Sequence, residues 1–219
     1  MKKRYIWLIA IIATIIIAGG AIYGYIYSSV KKYDETFYPK VVIEGQDLSK
    51  MSKKDGVKAL ANITNQYNEI NVTVKIGEKT YQKKLKDIGV QYDTDKQLND
   101  AFQYGKKEKL LKQYKLIKDE KGKEYTLTYS IDESILNNWV SSIEKEMKKS
   151  PKNASISIRN GNVSVTNDVK GYKINQEQLQ QSLVKALNSN NKKDITVTAN
   201  LEEVSANITK EKLMPVRKK

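Results

Sequence analysis

The chain has 219 residues and a formal net charge of +14, and it contains neither Cys nor His. The absence of Cys excludes a disulfide framework, a lipidated cysteine and a thiol nucleophile. The absence of His also excludes the usual zinc sites and any Ser-His-Asp or Cys-His catalytic arrangement. The sequence therefore predicts a protein that is not an enzyme, with no catalytic residues, no metal site and no cofactor.

An uncharged apolar stretch at residues 5–27 opens the chain. About 20 apolar residues in a helix are enough to cross the hydrocarbon core of a bilayer. Lys2, Lys3 and Arg4 precede the stretch, and positive charge next to a span stays on the cytoplasmic side. We therefore expect a single-pass signal-anchor in the cell membrane, with residues 1–4 as a cytoplasmic tail and the bulk of the chain outside the cell. The alternative is a cleaved signal peptide, because Ala18-Gly19-Gly20-Ala21 is a small-residue patch of the kind that signal peptidase accepts.

Residues 28–37 are predicted to form a short linker, and residues 38–123 a first α+β module that ends in a basic connector. Strand signals begin at Tyr38, and Ser52 with Asp55 resembles a capping box at the start of a helix. Strict alternation over residues 70–76 predicts a half-buried strand, and Gly77-Glu78 turns the chain into a second strand. Residues 105–123 are the most basic stretch, and their apolar spacing favours an amphipathic helix or a docked connector.

Residues 124–213 are predicted to form a second α+β module, followed by a basic tail at residues 214–219. Asp132 is placed to cap a helix that carries Trp139 on its apolar face. Asn160-Gly161 between alternating apolar residues is the strongest hairpin signal in the chain. The predicted fold is thus α+β: a transmembrane helix, then two similar modules with antiparallel hairpins and packed helices.

The similarity of the modules is inferred from an internal repeat. Gly89 and Asp93 have the same spacing as Gly171 and Asn175, and an apolar residue precedes the acid or amide in both, Tyr92 in the first and Ile174 in the second. We expect each Gly to supply a positive-φ turn and each Asp or Asn to cap the following helix. This structural role is favoured over a binding role.

Two kinds of side chain are candidates for ligand binding. Tyrosine rings stack on sugar faces, and lysines attract acidic groups. The candidate residues are Tyr92, Tyr104, Lys106, Lys107, Lys109, Lys112 and Tyr172. Three Ser-x-x-Lys matches, at Ser28, Ser142 and Ser182, lack the partner motifs of Ser-Lys enzymes and are interpreted as accidental.

A family resemblance covers roughly residues 37–213. Phe37-Tyr38-Pro39-Lys40-Val41-Val42-Ile43-Glu44-Gly45-Gln46-Asp47-Leu48-Ser49 resembles the start of the VanW-type extracellular region, and Ile88-Gly89-Val90-Gln91-Tyr92-Asp93 is similar to its continuation. Val169-Lys170-Gly171-Tyr172-Lys173-Ile174-Asn175 resembles the peptidoglycan-binding domain that VanW-like proteins share with the non-catalytic region preceding some Gram-positive L,D-transpeptidase domains. The chain departs from the pattern at Lys40 and Lys50, where the family often has Gly.

The resemblance implies binding without catalysis, since an L,D-transpeptidase domain would bring a Cys nucleophile and a His. We expect a membrane-anchored protein that binds peptidoglycan or a teichoic-acid-like polymer, with no nucleic-acid partner. One alternative is an extracellular protein–protein scaffold in envelope assembly that presents strand edges or the Trp139 helix to an envelope protein. The other is the amino-terminal, non-catalytic part of an L,D-transpeptidase.

Overall fold

The computed structural model describes residues 2–189 and 192–217, and over these residues the chain is a mixed α+β fold with small sheets, as predicted. The helices in the described residues are α1 Lys2–Lys31, α2 Lys53–Asn68, α3 Thr94–Gln103, α4 Leu110–Lys118, α5 Glu133–Met147, α6 Gln176–Asn188 and α7 Lys210–Arg217. The strands are β1 Val41–Ile43, β2 Gln46–Asp47, β3 Asn71–Ile76, β4 Lys79–Lys84, β5 Val90–Tyr92, β6 Lys123–Tyr125, β7 Tyr129–Ile131, β8 Ile156–Arg159, β9 Asn162–Val165, β10 Gly171–Ile174, β11 Ile195–Thr198 and β12 Leu201–Val204.

The predicted span is part of one continuous helix, α1. Residues Tyr5–Lys31 have a mean hydropathy of 2.4, and α1 is the one helix in residues 2–189 and 192–217 that is long and apolar enough to cross a membrane. A helix satisfies its backbone polar groups internally, as a hydrocarbon environment requires. The helix continues four residues into the predicted linker, and Phe37 at the end of that linker is completely buried. Residues 28–37 are therefore partly helix and partly core.

One compact unit comprises Met1–Asn65 and Tyr92–Tyr129. Its small sheet has β1 in the centre, antiparallel to β2 and parallel to β6, with Val41 and Ile43 fully buried. Ser52 and Asp55 form the predicted capping box before α2, with the Asp55 amide donating to Ser52 Oγ at 3.2 Å.

Two lysines in this unit have a backbone conformation that favours glycine. Lys40 has φ 58° and Lys50 has φ 62°, in the left-handed region that glycine enters without steric cost. Both lysines therefore hold a conformation that costs a non-glycine residue some strain.

The other unit comprises Gln66–Gln91 and Ser130–Lys219. Its three-stranded sheet has the order β11-β3-β4, with β3 parallel to β11 and antiparallel to β4. The alternation predicted for β3 is observed, because Val72, Val74 and Ile76 are buried. The predicted hairpin at Asn160-Gly161 is also present as β8 and β9.

The units combine segments that are distant in the sequence, because strand pairing is long-range. The Asn71 amide donates to Asp194 Oδ1 at 2.9 Å where β3 meets β11, and β1 pairs with β6. The predicted boundary at 123/124 falls inside β6. The division into two similar modules, 38–123 and 124–213, stays a prediction.

One predicted backbone conformation is wrong. Gly89 has φ 87° and ends the 3-10 helix Leu85–Ile88, as expected, but Gly171 is not in the positive-φ region and belongs to strand β10. A Cβ at Gly171 would lie 2.3 Å from the Lys149 carbonyl oxygen. Glycine is needed there for close backbone approach, so the same spacing serves two different purposes.

At the chain ends, α7 reaches Arg217 and so overlaps the predicted basic tail. Met1 of the predicted cytoplasmic tail and Lys218 and Lys219 of the basic tail lie outside the described residues.

Candidate functional site

The basic segment, residues 105–123, contains the predicted lysines and forms a turn followed by a helix. The turn contains Gly105, which has φ 72°. Helix α4 begins at Leu110, within the stretch for which a helix was predicted. Gln113 Nε2 donates to the Glu108 carbonyl oxygen at 2.6 Å, which ties the turn to the first residues of α4. Ile117 is buried, whereas Leu111 is 62% exposed. The segment is therefore amphipathic, but part of its apolar surface is uncovered.

Lys106 differs from the other candidate lysines because its side chain is folded against the protein. Its Nζ lies 3.4 Å from the centroid of the Phe102 ring and donates to the Asp34 carbonyl oxygen at 2.9 Å. Burial lowers the pKa of Lys106 to about 8. A cation held over an aromatic ring and a carbonyl has few directions left for a ligand, so Lys106 has a packing role here.

Lys107, Lys109 and Lys112 are exposed. Lys112 Nζ pairs with Glu108 Oε1 at 2.7 Å, one helical turn away. Such exposed pairs contribute little to stability and exchange readily with other partners. These three amines are available to an anionic ligand.

The candidate tyrosines are half-buried, and each contacts another part of its own unit. Tyr104 packs edge-on against Tyr38, with ring centroids 6.4 Å apart, and Tyr92 packs in the same way against Tyr129 at 6.0 Å. Burial, with a smaller contribution from Tyr129, raises the pKa of Tyr92 above its ordinary value. A neighbouring ring therefore limits stacking on Tyr104 and on Tyr92.

Tyr172 lies in the other unit, on β10. Its backbone N–H and C=O both bond to Lys149 at 2.8 Å, and it stands opposite Glu203 of β12. Glu203 pairs with Lys170, and at the next register position Lys173 pairs with Glu202. Tyr104 and the four lysines thus share one stretch of the first unit, whereas Tyr172 belongs to the other unit.

Sequence reasoning missed the side chains that hold the basic segment in place. Tyr38 is 2% exposed and donates from its hydroxyl to Gln113 Oε1 at 3.0 Å, and burial raises its pKa to about 12. Phe102 supplies the ring beneath Lys106, and it packs edge-on against Phe37. The aromatic pair Phe37-Tyr38 at the end of a predicted polar linker was the signal in the sequence for this packing.

A groove between α1 and α4 has a volume of about 750 Å³. Its walls are Gly19, Ile22, Tyr23 and Ile26 from α1 and Lys109–Lys112 with Lys115 from α4. Tyr25 and Tyr114 meet edge-on beside it, with ring centroids 6.3 Å apart. Lys109 and Lys112, which were predicted as ligand contacts, therefore border an apolar groove.

The structure places the Ser-x-x-Lys serines in ordinary helical positions. Ser142 Oγ donates to the Trp139 carbonyl oxygen at 2.6 Å, a bond within α5 that occupies its hydroxyl proton. Among residues 2–189 and 192–217, no group of three or more Asp or Glu side chains is placed to hold a metal ion.

Comparison with known proteins gives one result. A family model with the description "Putative peptidoglycan binding domain" matches residues 81–196, just over half of the chain. The match includes all seven candidate residues and contains segments of both compact units. Comparison with curated proteins and with solved structures gives no match.

Proposed function

Because the chain belongs to this family of peptidoglycan-binding domains, we propose that it is a membrane-anchored, non-catalytic protein that binds the cell wall outside the cell. The match over residues 81–196 is the observation that carries the proposal. It supports a cell-wall polymer as the partner.

The anchor is α1. Its apolar length matches a bilayer, and Lys2, Lys3 and Arg4 favour a cytoplasmic amino terminus. A peptidoglycan-binding domain has its ligand outside the membrane, which agrees with that orientation. The positive φ of Lys40 and Lys50, where VanW-type sequences often have Gly, supports a VanW-like region on a Gram-positive surface.

Wall contact is proposed to combine electrostatic attraction with contacts from tyrosine rings. The residues beyond 32 carry 34 Lys and Arg against 25 Asp and Glu, a net charge of +9, and are drawn to polymers that carry carboxylates or phosphates, such as peptidoglycan stems or teichoic acids. Exposed lysines of the basic segment contribute attraction, and Tyr92, Tyr104 and Tyr172 contribute aromatic contacts. A mainly electrostatic interaction predicts binding that weakens strongly as salt is added.

The proposed function is binding without catalysis. The sequence has no Cys or His, so it lacks the nucleophile and base of an L,D-transpeptidase. The proposed role is to hold the wall near the membrane.

The test uses the full chain in nanodiscs of phosphatidylcholine, mixed with purified peptidoglycan sacculi and then centrifuged. We expect the protein to pellet with sacculi, and to do so more when teichoic acid is still attached. The apparent affinity should fall about tenfold or more between about 50 mM and about 200 mM salt if several ion contacts are made. Empty nanodiscs are the control for trapping.

Pelleting no greater than that of empty nanodiscs at low salt would overturn the proposal. Pelleting that is insensitive to salt and to teichoic acid would leave wall binding standing and remove its electrostatic part. The tyrosine contribution is tested with Tyr172→Ala beside Tyr67→Ala, a half-exposed tyrosine outside the matched region.

One observation favours the protein scaffold as a second candidate. The hairpin of β8 and β9 carries three exposed apolar side chains, with Ile158 70% and Val163 39% exposed. The features first proposed for a scaffold fit less well, because Trp139 is 4% exposed and the edge strand β4 carries Lys79, Lys83 and Lys84. A photo-crosslinker at residue 158 in cells should trap one dominant envelope protein if the hairpin is a docking surface.

A further inference from the structure

Helix α4 packs beside α1, and this position determines whether the lysines of α4 lie near the membrane. The groove described above is bounded by Gly19–Ile26 on α1 and by the first half of α4. Both helices belong to the same compact unit. The first half of α4 therefore lies in the same environment as residues 19–26 of α1.

The depth of this contact follows from helix geometry. A bilayer core of about 30 Å corresponds to about 20 helical residues at 1.5 Å each. Counted from Tyr5, the core ends near Gly24, so the α1 wall of the groove straddles the outer boundary of the hydrocarbon. This step rests on the membrane anchoring in the proposed function, and it does not depend on wall binding.

The chemistry of α4 suits that depth. Leu111 is 62% exposed, and Lys115 and Lys118 follow it at helical spacing on the same face. An apolar side chain flanked by lysines is the pattern of a helix that lies in a membrane interface. Lysine stems cover apolar surface while the amines reach the headgroups.

We propose that α4 lies in the outer headgroup layer and binds an anionic phospholipid. One acyl chain occupies the groove between α1 and α4, and the phosphate is held by Lys109, Lys112 and Lys115. The charge is complementary, since three amines border an otherwise apolar groove whose α1 wall adjoins lipid. The basic segment is then divided: the lysines of the groove face lipid, and Lys107, Lys121 and Lys123 remain for the wall polymer.

The first test measures where residue 111 lies. The chain has no Cys, so Leu111→Cys gives a single site for an environment-sensitive fluorophore in the full chain. In nanodiscs that contain phosphatidylglycerol, we expect a blue-shifted emission that is quenched by nitroxide-labelled lipid and protected from aqueous iodide. Ile158→Cys is the control, because its side chain is as apolar and 70% exposed.

Quenching of residue 111 by iodide and not by lipid would overturn the proposal. Equal lipid quenching at residues 111 and 158 would also overturn it, because the fluorophore itself would then account for the signal. If α4 contacts the membrane, nitroxide-labelled lipid should quench the fluorophore at residue 111 but not the one at residue 158.

The second test measures the headgroup preference. Native mass spectrometry of the full chain should show retained phosphatidylglycerol in preference to phosphatidylcholine. Each lysine near an anionic surface contributes about fivefold, so the combined variant Lys109→Gln, Lys112→Gln, Lys115→Gln should reduce that preference by about a hundredfold.

The matched control is Lys83→Gln, Lys145→Gln, Lys185→Gln, three exposed lysines of the other unit with the same total charge change. The control variant should keep the preference. An equal loss in both variants, or equal retention of the two lipids by the unmodified chain, would overturn the lipid site. Sacculus pelleting in phosphatidylcholine nanodiscs reports separately on wall binding.

Discussion

The segments that begin at Gly89 and at Gly171 have the same residue spacing and share most of their local structure. Each consists of a glycine, a strand and a helix whose first residue follows an Asp or Asn cap. Asp93 Oδ1 accepts from the Lys96 amide at 3.3 Å, and Asn175 Oδ1 accepts from the Gln178 amide at 3.1 Å. The capping interactions are thus equivalent.

The glycines are not equivalent. Gly89 has φ 87°, whereas Gly171 is a strand residue beside the Lys149 carbonyl. The residue before each cap differs too. Ile174 is 4% exposed, whereas Tyr92 is half-buried and carries a polar hydroxyl group. A repeated spacing therefore identifies the helix start in both places but does not give the reason for each glycine.

Gly171→Ala is expected to have the largest effect. The new Cβ would lie 2.3 Å from the Lys149 oxygen and 2.6 Å from Pro151 Cδ and N, so the backbone has to move. We expect a loss of about 3 kcal/mol or more in the free energy of unfolding. The measurement is denaturant unfolding followed by Trp139, in a Trp7→Phe background that leaves one buried tryptophan as the reporter. A loss below about 1 kcal/mol would mean that β10 shifts easily at this position.

Gly89→Ala is expected to lose about 2–3 kcal/mol, from two causes. An alanine at φ 87° is strained by about 1–2 kcal/mol, and its Cβ would lie 2.8 Å from the Asp132 oxygen. Gly161→Ala is the matched control, because Gly161 has φ 77° with no atom within 4 Å of a new Cβ. The same unfolding measurement should give a smaller loss for the control. Equal losses would show that backbone conformation alone explains the need for Gly89.

The features that the sequence predicted correctly are local. The capping residues Ser52, Asp93, Asp132 and Asn175 and the hairpin turns act within a few residues of themselves, so their patterns carry the information. The pairing of β3 with β11, by contrast, joins residues far apart in the chain, such as Asn71 and Asp194. Hydrophobic periodicity predicts which face of a strand is buried, but it does not predict which strand lies beside it.

The candidate site shows the same division. Apolar spacing in residues 105–123 predicted an amphipathic helix or a docked connector, and α4 is a helix with Ile117 buried and Leu111 exposed. Lys106 folds over Phe102 because the chain turns at Gly105, and no pattern within the basic segment indicates that contact. The groove against α1 was missed for a related reason, since helix packing depends on tertiary contacts.

Removing each cap tests the equivalent part of the two segments. Asp93→Ala and Asn175→Ala should each lose about 1 kcal/mol, because each leaves a first-turn amide without its acceptor. Hydrogen exchange should speed up by about fivefold at the Lys96 amide in one variant and at the Gln178 amide in the other. Asp93→Asn and Asn175→Asp keep the acceptor and are the controls. A loss in only one segment would show that the caps, like the glycines, differ in their roles.

Tyr92 provides the smallest and most local test, because Ile174 at the matching position has no proton to lose. Burial and the neighbouring Tyr129 raise the pKa of Tyr92 above its ordinary value of 10.0. The folded protein therefore keeps this proton in a pH range where the unfolded chain has begun to lose it. The contribution of Tyr92 to stability is present below pH 10.0 and decreases as the pH rises above that value.

NMR of isotope-labelled tyrosine, with the resonance assigned by its loss in Tyr92→Phe, should show titration above pH 10.0. Tyr129→Phe should lower the pKa of Tyr92 slightly, and titration of Tyr92 at or below its ordinary pKa would contradict its burial against Tyr129.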